Sequence, residues 1–110
     1  MGRRISSYKE FWPYYLREHS KPECRALHYF GTTLSLIMLA LFLVTLNTVF
    51  FLAALICGYG PAWIAHFFIE KNRPATFKYP LWSLISDFRM YFMWIRGNLG
   101  RELRSNAIRE

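Results

Sequence analysis

The sequence predicts an all-α integral membrane protein, a helical hairpin of two spans flanked by amphipathic interfacial helices. Three observations predict it. All 21 Asp, Glu, Lys and Arg residues lie outside positions 26–69, which leaves 44 consecutive residues without one. A helix rises about 1.5 Å per residue and the hydrocarbon core of a bilayer is about 30 Å thick, so this stretch makes about 66 Å of helix, two crossings rather than one. Basic residues dominate both flanks: residues 1–33 carry six basic and three acidic groups, and residues 70–110 carry eight and four. Basic flanks are held on the cytoplasmic side, which a hairpin satisfies at both ends. A single span from Leu34 to Cys57, the competing reading, would push one basic flank across. With 110 residues in all, a soluble domain has too little chain to bury the uncharged stretch. A hydrophobic content of 54% excludes disorder, and two cysteines are too few for a disulfide scaffold.

The elements follow in order. The start has no apolar core of a signal peptide. Ser7 and Glu10 have capping-box spacing, and Phe11, Trp12, Tyr15 and Leu16 then share one face, which predicts an amphipathic helix over about 7–19 lying in the headgroup layer. Lys21-Pro22 breaks it. The first span is expected over 26–46. Asn47, the least apolar point of the central run, forms the turn, and the second span follows over 48–69. Pro61 inside that span removes a hydrogen bond to the Cys57 carbonyl, either as a packed kink or as the wall of a pocket. Glu70 to Pro74 reads as a polar turn. Pro80 opens a helix over 81–95, on which Ser83, Ser86, Asp87 and Arg89 share a polar arc; these charges argue for an interfacial or re-entrant helix. The basic tail after Gly97 reads as frayed. The whole chain is taken as one membrane domain.

Chemistry concentrates in the histidines. His28 lies 19 residues before Asn47 and His66 lies 19 after it, so a straight hairpin carries both to one depth at the cytoplasmic interface. His19, on the amphipathic segment, can reach that level. Glu70 is one helical turn past His66. Three imidazoles and a carboxylate suit a divalent transition metal such as iron, zinc, copper or nickel. Taken singly, each histidine also fits an interfacial amphipath with its ring among the headgroups. Cys24 reads as a free thiol. The net charge of +7 is explained by membrane flanks and anionic lipid, not nucleic acid. With no acidic residue inside the spans, a coupled transporter is disfavoured. A non-enzymatic hairpin binding lipid or a partner protein stays open, and either reading allows a homo-oligomer.

The pattern His19-x4-Cys24-Arg25-x2-His28-x2-Gly31-Thr32, followed by Gly58-Tyr59-x2-Trp63-x2-His66-x3-Glu70-Lys71-Asn72-x-Pro74-Ala75, resembles the membrane 2-hydroxy fatty acid dioxygenases of fungal phytosphingosine degradation and their short bacterial relatives. The resemblance covers about residues 8–92. It implies an Fe(2+)-dependent α-oxidation in which a 2-hydroxy fatty acid and dioxygen give a fatty acid one carbon shorter. It implies His19, His28 and His66 as metal ligands, with Glu70 a further ligand or a group that orients one. Arg25 or Arg73 would pair with the substrate carboxylate, unless both serve as basic anchors. A multi-pass location with both termini cytoplasmic is expected, in the inner membrane of a bacterium or the endoplasmic reticulum of a eukaryote.

Overall fold

The computed structural model describes residues 4–108, which are helical with no strand among them. Helix α1 (Tyr8–Glu18) starts where Ser7 Oγ accepts the Glu10 N–H at 3.3 Å. Pro13 falls in its second turn. Helix α2 (Pro22–Thr45) begins earlier than the 26 expected, because proline suits a first helical turn. Leu46 in the left-handed region (φ 58°) reverses the chain, and Asn47 Oδ1 accepts the Val49 N–H at 3.0 Å to start α3 (Thr48–Ile64).

Helices α2 and α3 pair along a seam of small residues. Ser35 Oγ donates to the Ala54 carbonyl (2.9 Å), and Gly58 faces the same serine. At Gly31 the approach is closest: a Cβ there would lie 2.6 Å from the Cys57 carbonyl oxygen and 3.2 Å from Pro61 Cγ. Pro61 takes away the N–H that this carbonyl would otherwise bond, and the freed group lies against the one residue that has no side chain to displace it. Below the proline, residues Ala65–Glu70 wind as a π-helix that carries His66. Pro22–Thr45 and Thr48–Glu70 are both long and apolar enough to cross a membrane. Their outer faces are bare: Leu43, Val44 and Ile56 are each more than 70% exposed. A continuous apolar band of this kind suits lipid.

The flanks form a cap beneath the hairpin, made of α1, a 3₁₀ turn (Ala75–Phe77), α4 (Pro80–Arg96) and α5 (Leu99–Ser105). Phe11, Trp12, Tyr15 and Leu16 turn inward from α1. They are buried in protein with Tyr79, Met90, Leu99 and Leu103. The tail, expected to fray, instead forms α5 and packs as far as Ile108. Trp12 Nε1 donates to Glu102 at 2.7 Å, and Leu103 and Ile108 close the core. Helix α4 is inverted relative to a soluble helix. Ser83 and Ser86 of its polar arc are buried, while Leu81, Leu84, Ile85, Phe92 and Ile95 face out. The arc is spent on α1: Tyr8 Oη bonds Ser86 Oγ at 2.9 Å, and Tyr15 Oη donates to Asp87.

Candidate metal centre

Three separate elements deliver the histidines. His19 caps the C-terminus of α1, His28 lies in the second turn of α2, and His66 sits in the π-turn below α3. All three are buried, with 1%, 6% and 2% exposure. His19 Nε2 lies 3.1 Å from His28 Nε2 and 3.0 Å from His66 Nε2.

The opposite nitrogens fix the chemistry of this contact. Nδ1 of His19 meets the Tyr15 carbonyl (2.7 Å), and Nδ1 of His28 meets the Cys24 carbonyl (2.9 Å). A carbonyl only accepts, so both Nδ1 atoms carry the proton. His66 Nδ1 meets Asn72 Oδ1 (2.8 Å), whose orientation follows from its own NH₂ donating to the Glu18 carbonyl and carboxylate at 3.2 and 3.1 Å. His28 and His66, both neutral, therefore each point an Nε2 lone pair at the Nε2 lone pair of His19. Acceptors facing at 3.0–3.1 Å repel unless a cation joins them. A proton is the weaker candidate, because burial holds His19 well below the ordinary histidine range, and the neighbouring His28 and His66 push it the same way. A metal ion fits. Imidazole nitrogens binding one ion at about 2.1 Å each would replace this repulsion by attraction. The three histidines could hold such an ion, their ligand atoms lying within 4.8 Å of one another. The backbone carbonyls and Asn72 fix each ring as outer partners of a metal-binding histidine do.

The remaining expected residues are placed elsewhere. Glu70 does not point at the cluster. Its carboxylate accepts from Ser20 Oγ (3.2 Å) and the Lys21 N–H (2.7 Å), binding the segment that follows His19 to the end of the second span. The wider π-turn carries the chain past the α-helical register that would have stacked Glu70 on His66. Expected as a ligand or as a group that orients one, Glu70 here bonds the two residues that follow His19. Arg25 is also turned inward. It is 3% exposed, and its guanidinium donates to the His19 and Ser20 carbonyls at 2.8 and 3.0 Å, so it closes the C-terminus of α1 and does not open on the cavity by the histidines. Arg73 is exposed, on the loop outside the cluster. Cys24 Sγ lies 3.8 Å from His28 Nδ1, on the side of the ring away from the other histidines.

Three residues of the surroundings escape sequence reasoning. Asn72 stood in the polar turn, and its role needs Glu18 from a distant helix. Tyr15 stacks on His19 with ring centres 4.0 Å apart and donates to Asp87. Burial and the Asp87 carboxyl push the Tyr15 phenol well above its ordinary range, so it remains a donor at neutral pH. Burial also raises Asp87 to about 7, while the Tyr15 hydrogen bond opposes the rise. Ser83 is the third. Asp87 and Ser83 line, with Tyr59, Trp63, Thr76 and the histidines, a cavity of about 10 Å³, room for one water-sized group.

Asp87 gives a pH prediction. Its folded pKa lies above the unfolded value of about 3.9, so its contribution to stability is complete below pH 4 and is lost as pH rises through about 7. Asp87→Asn keeps the acceptor for Tyr15 and removes the titration. The thermal midpoint of wild type is expected to fall relative to the variant between pH 4 and 7, by an amount equivalent to roughly 3 kcal/mol. Parallel curves in a pH series would contradict this environment for Asp87.

Fold and cluster together define a class, an all-α hairpin with two membrane-length helices, capped at its base around a buried group of three histidines suited to a metal. The chain belongs to the 2-hydroxy-palmitic acid dioxygenase Mpo1-like family, whose model matches residues 5–99. No curated protein and no solved structure is a match for the chain.

Proposed function

We propose that the protein is an Fe(2+)-dependent membrane dioxygenase that shortens 2-hydroxy fatty acids by one carbon. The observation that carries this reading is the contact of His19 Nε2 with the Nε2 atoms of both His28 and His66, within a chain whose family is named for 2-hydroxy-palmitic acid oxidation. The balanced reaction takes R–CH(OH)–COOH and O₂ to R–COOH, CO₂ and H₂O. The C1–C2 bond breaks, C2 is oxidised and dioxygen is reduced. Iron(II) bound to the histidines would supply the one-electron chemistry that lets dioxygen react, a task open-sided histidine-rich iron sites perform.

The chain's own residues set the conditions. His19, His28 and His66 hold the ion through Nε2, each aimed by its Nδ1 hydrogen bond. Glu70 and Arg25 hold the His19 segment against the hairpin from two sides. Tyr59, Ala62 and Trp63 line the cavity from α3. Trp63 is 39% exposed beside Phe67 and Phe77, so this wall leads from the histidines to the apolar outer face, where an acyl chain can stay in lipid while its polar head meets the ion. Burial of the cluster excludes bulk water from the reacting head.

Both termini are assigned to the cytoplasmic side, on the charge of the two flanks; single cysteines at Ser6 and Ser105 that label from opposite faces would contradict this. For the activity, purified protein loaded anaerobically with iron(II) is mixed with 2-hydroxyhexadecanoate and then oxygen. Pentadecanoate is the expected product, with one O₂ consumed per molecule. Iron bound at one per chain without oxygen-dependent loss of the acid would favour the non-enzymatic hairpin instead.

A further inference from the structure

Ser83 lies in α4 at 2% exposure, and its Oγ is one of two buried side-chain polar atoms without a hydrogen-bond partner among the described residues. A helical hydroxyl ordinarily settles on its own i−4 carbonyl. Thr33 and Thr45 do so, on the Tyr29 and Leu41 carbonyls at 2.8 Å. Ser83 does not. The Tyr79 carbonyl receives only its backbone N–H (2.9 Å). An unpaired buried hydroxyl requires a reason.

Its position supplies one. Ser83 lines the small cavity beside the histidines, together with Thr76 and Asp87. The lining thus combines the three imidazoles with the hydroxyls of Ser83 and Thr76. Neither arginine expected to receive a carboxylate serves this space: Arg25 donates to the His19 and Ser20 carbonyls, and Arg73 stands outside.

We propose that Ser83 is a substrate-binding residue whose hydroxyl donates to the single carboxylate oxygen of a 2-hydroxy acid that this water-sized cavity admits, the rest of the acid lying outside it past Trp63. The proposal rests on the functional reading above and assigns it a head-group contact. The donor is neutral, short and fixed on a helix, so it selects the orientation of the head without adding a second positive charge beside the ion. The helix thus keeps a hydroxyl that contributes nothing to the folded chain alone, a cost to stability typical of binding sites.

Binding separates this idea from its premise. The protein is loaded with cobalt(II) as an optical probe, and 2-hydroxyhexadecanoate is titrated into wild type, Ser83→Ala and Ser83→Cys. The expected result is affinity about tenfold weaker in both variants, with cobalt stoichiometry unchanged and a thermal midpoint equal or higher. The cysteine variant nearly preserves shape while donating poorly, so agreement of the two isolates the hydrogen bond. Equal affinity in all three proteins would overturn the Ser83 assignment and leave the functional reading standing. Wild type that holds cobalt but does not bind the acid would overturn the functional reading itself, and the assignment with it.

Discussion

His19→Ala is expected to weaken metal binding by more than 100-fold and to abolish turnover, while the metal-free protein melts at the same temperature or higher. The first half follows from losing the nitrogen that stands 3.0–3.1 Å from both of the others; removing even the outer partner of a metal ligand typically costs 10–100-fold. The second half follows from the lone pairs. Without a cation, three acceptors held face to face oppose folding, and deleting the central one relieves both contacts. Wild type at a metal concentration of 100 times Kd gains about 2.7 kcal/mol from binding, which shifts its midpoint by several degrees, and the variant gains nothing. The check is a melting series of both proteins with and without iron(II). A variant that melts well below metal-free wild type would mean that His19 is an ordinary core residue.

Gly31→Ala is expected to damage the centre from a distance. The added Cβ would lie 2.6 Å from the Cys57 carbonyl oxygen, a backbone atom that cannot swing aside, so α2 and α3 must separate. His28 lies one turn below Gly31 on α2, and His66 lies five residues beyond Pro61, in the π-turn below α3. Separation at the seam therefore moves two of the three ligands apart. Overpacking of this kind costs about 1–3 kcal/mol, and metal affinity should fall at least tenfold. Gly60→Ala is the control. It meets nothing within 4 Å, and both stability and metal binding are expected to stay near wild type. Iron content and melting temperature of the two variants decide the matter; equal behaviour would remove the seam from the account.

The hairpin and the meeting of His28 and His66 were legible because they depend on counting. Equal separations from Asn47 bring two rings to one depth whatever the packing, and their centres stand 5.1 Å apart. Membrane character was legible in the uncharged stretch for the same reason. Partners were harder. Periodicity says which face a residue shares, and not what comes to meet that face. Glu70 and Arg25 are adjacent to the histidines in sequence, yet each finds the backbone of residues 19–21 first, because the carbonyls and N–H left unpaired where the helix breaks take the nearest donor and acceptor. The polar arc of α4 was visible, but its direction was not. In a soluble helix it would face out, and here the apolar residues are the exposed ones and the arc turns toward α1. The α5 helix was hidden by its basic composition, since of its own residues Leu99 and Leu103 join the core, with Ile108 just beyond it.

X-ray absorption at the iron edge of wild-type protein, loaded with one equivalent of iron(II), addresses the central claim most directly. Scattering from three imidazole rings is expected, falling to two in His19→Ala, His28→Ala or His66→Ala whenever iron can still be retained. A spectrum with one imidazole or none, unchanged across those variants, would show that the three rings do not share an ion.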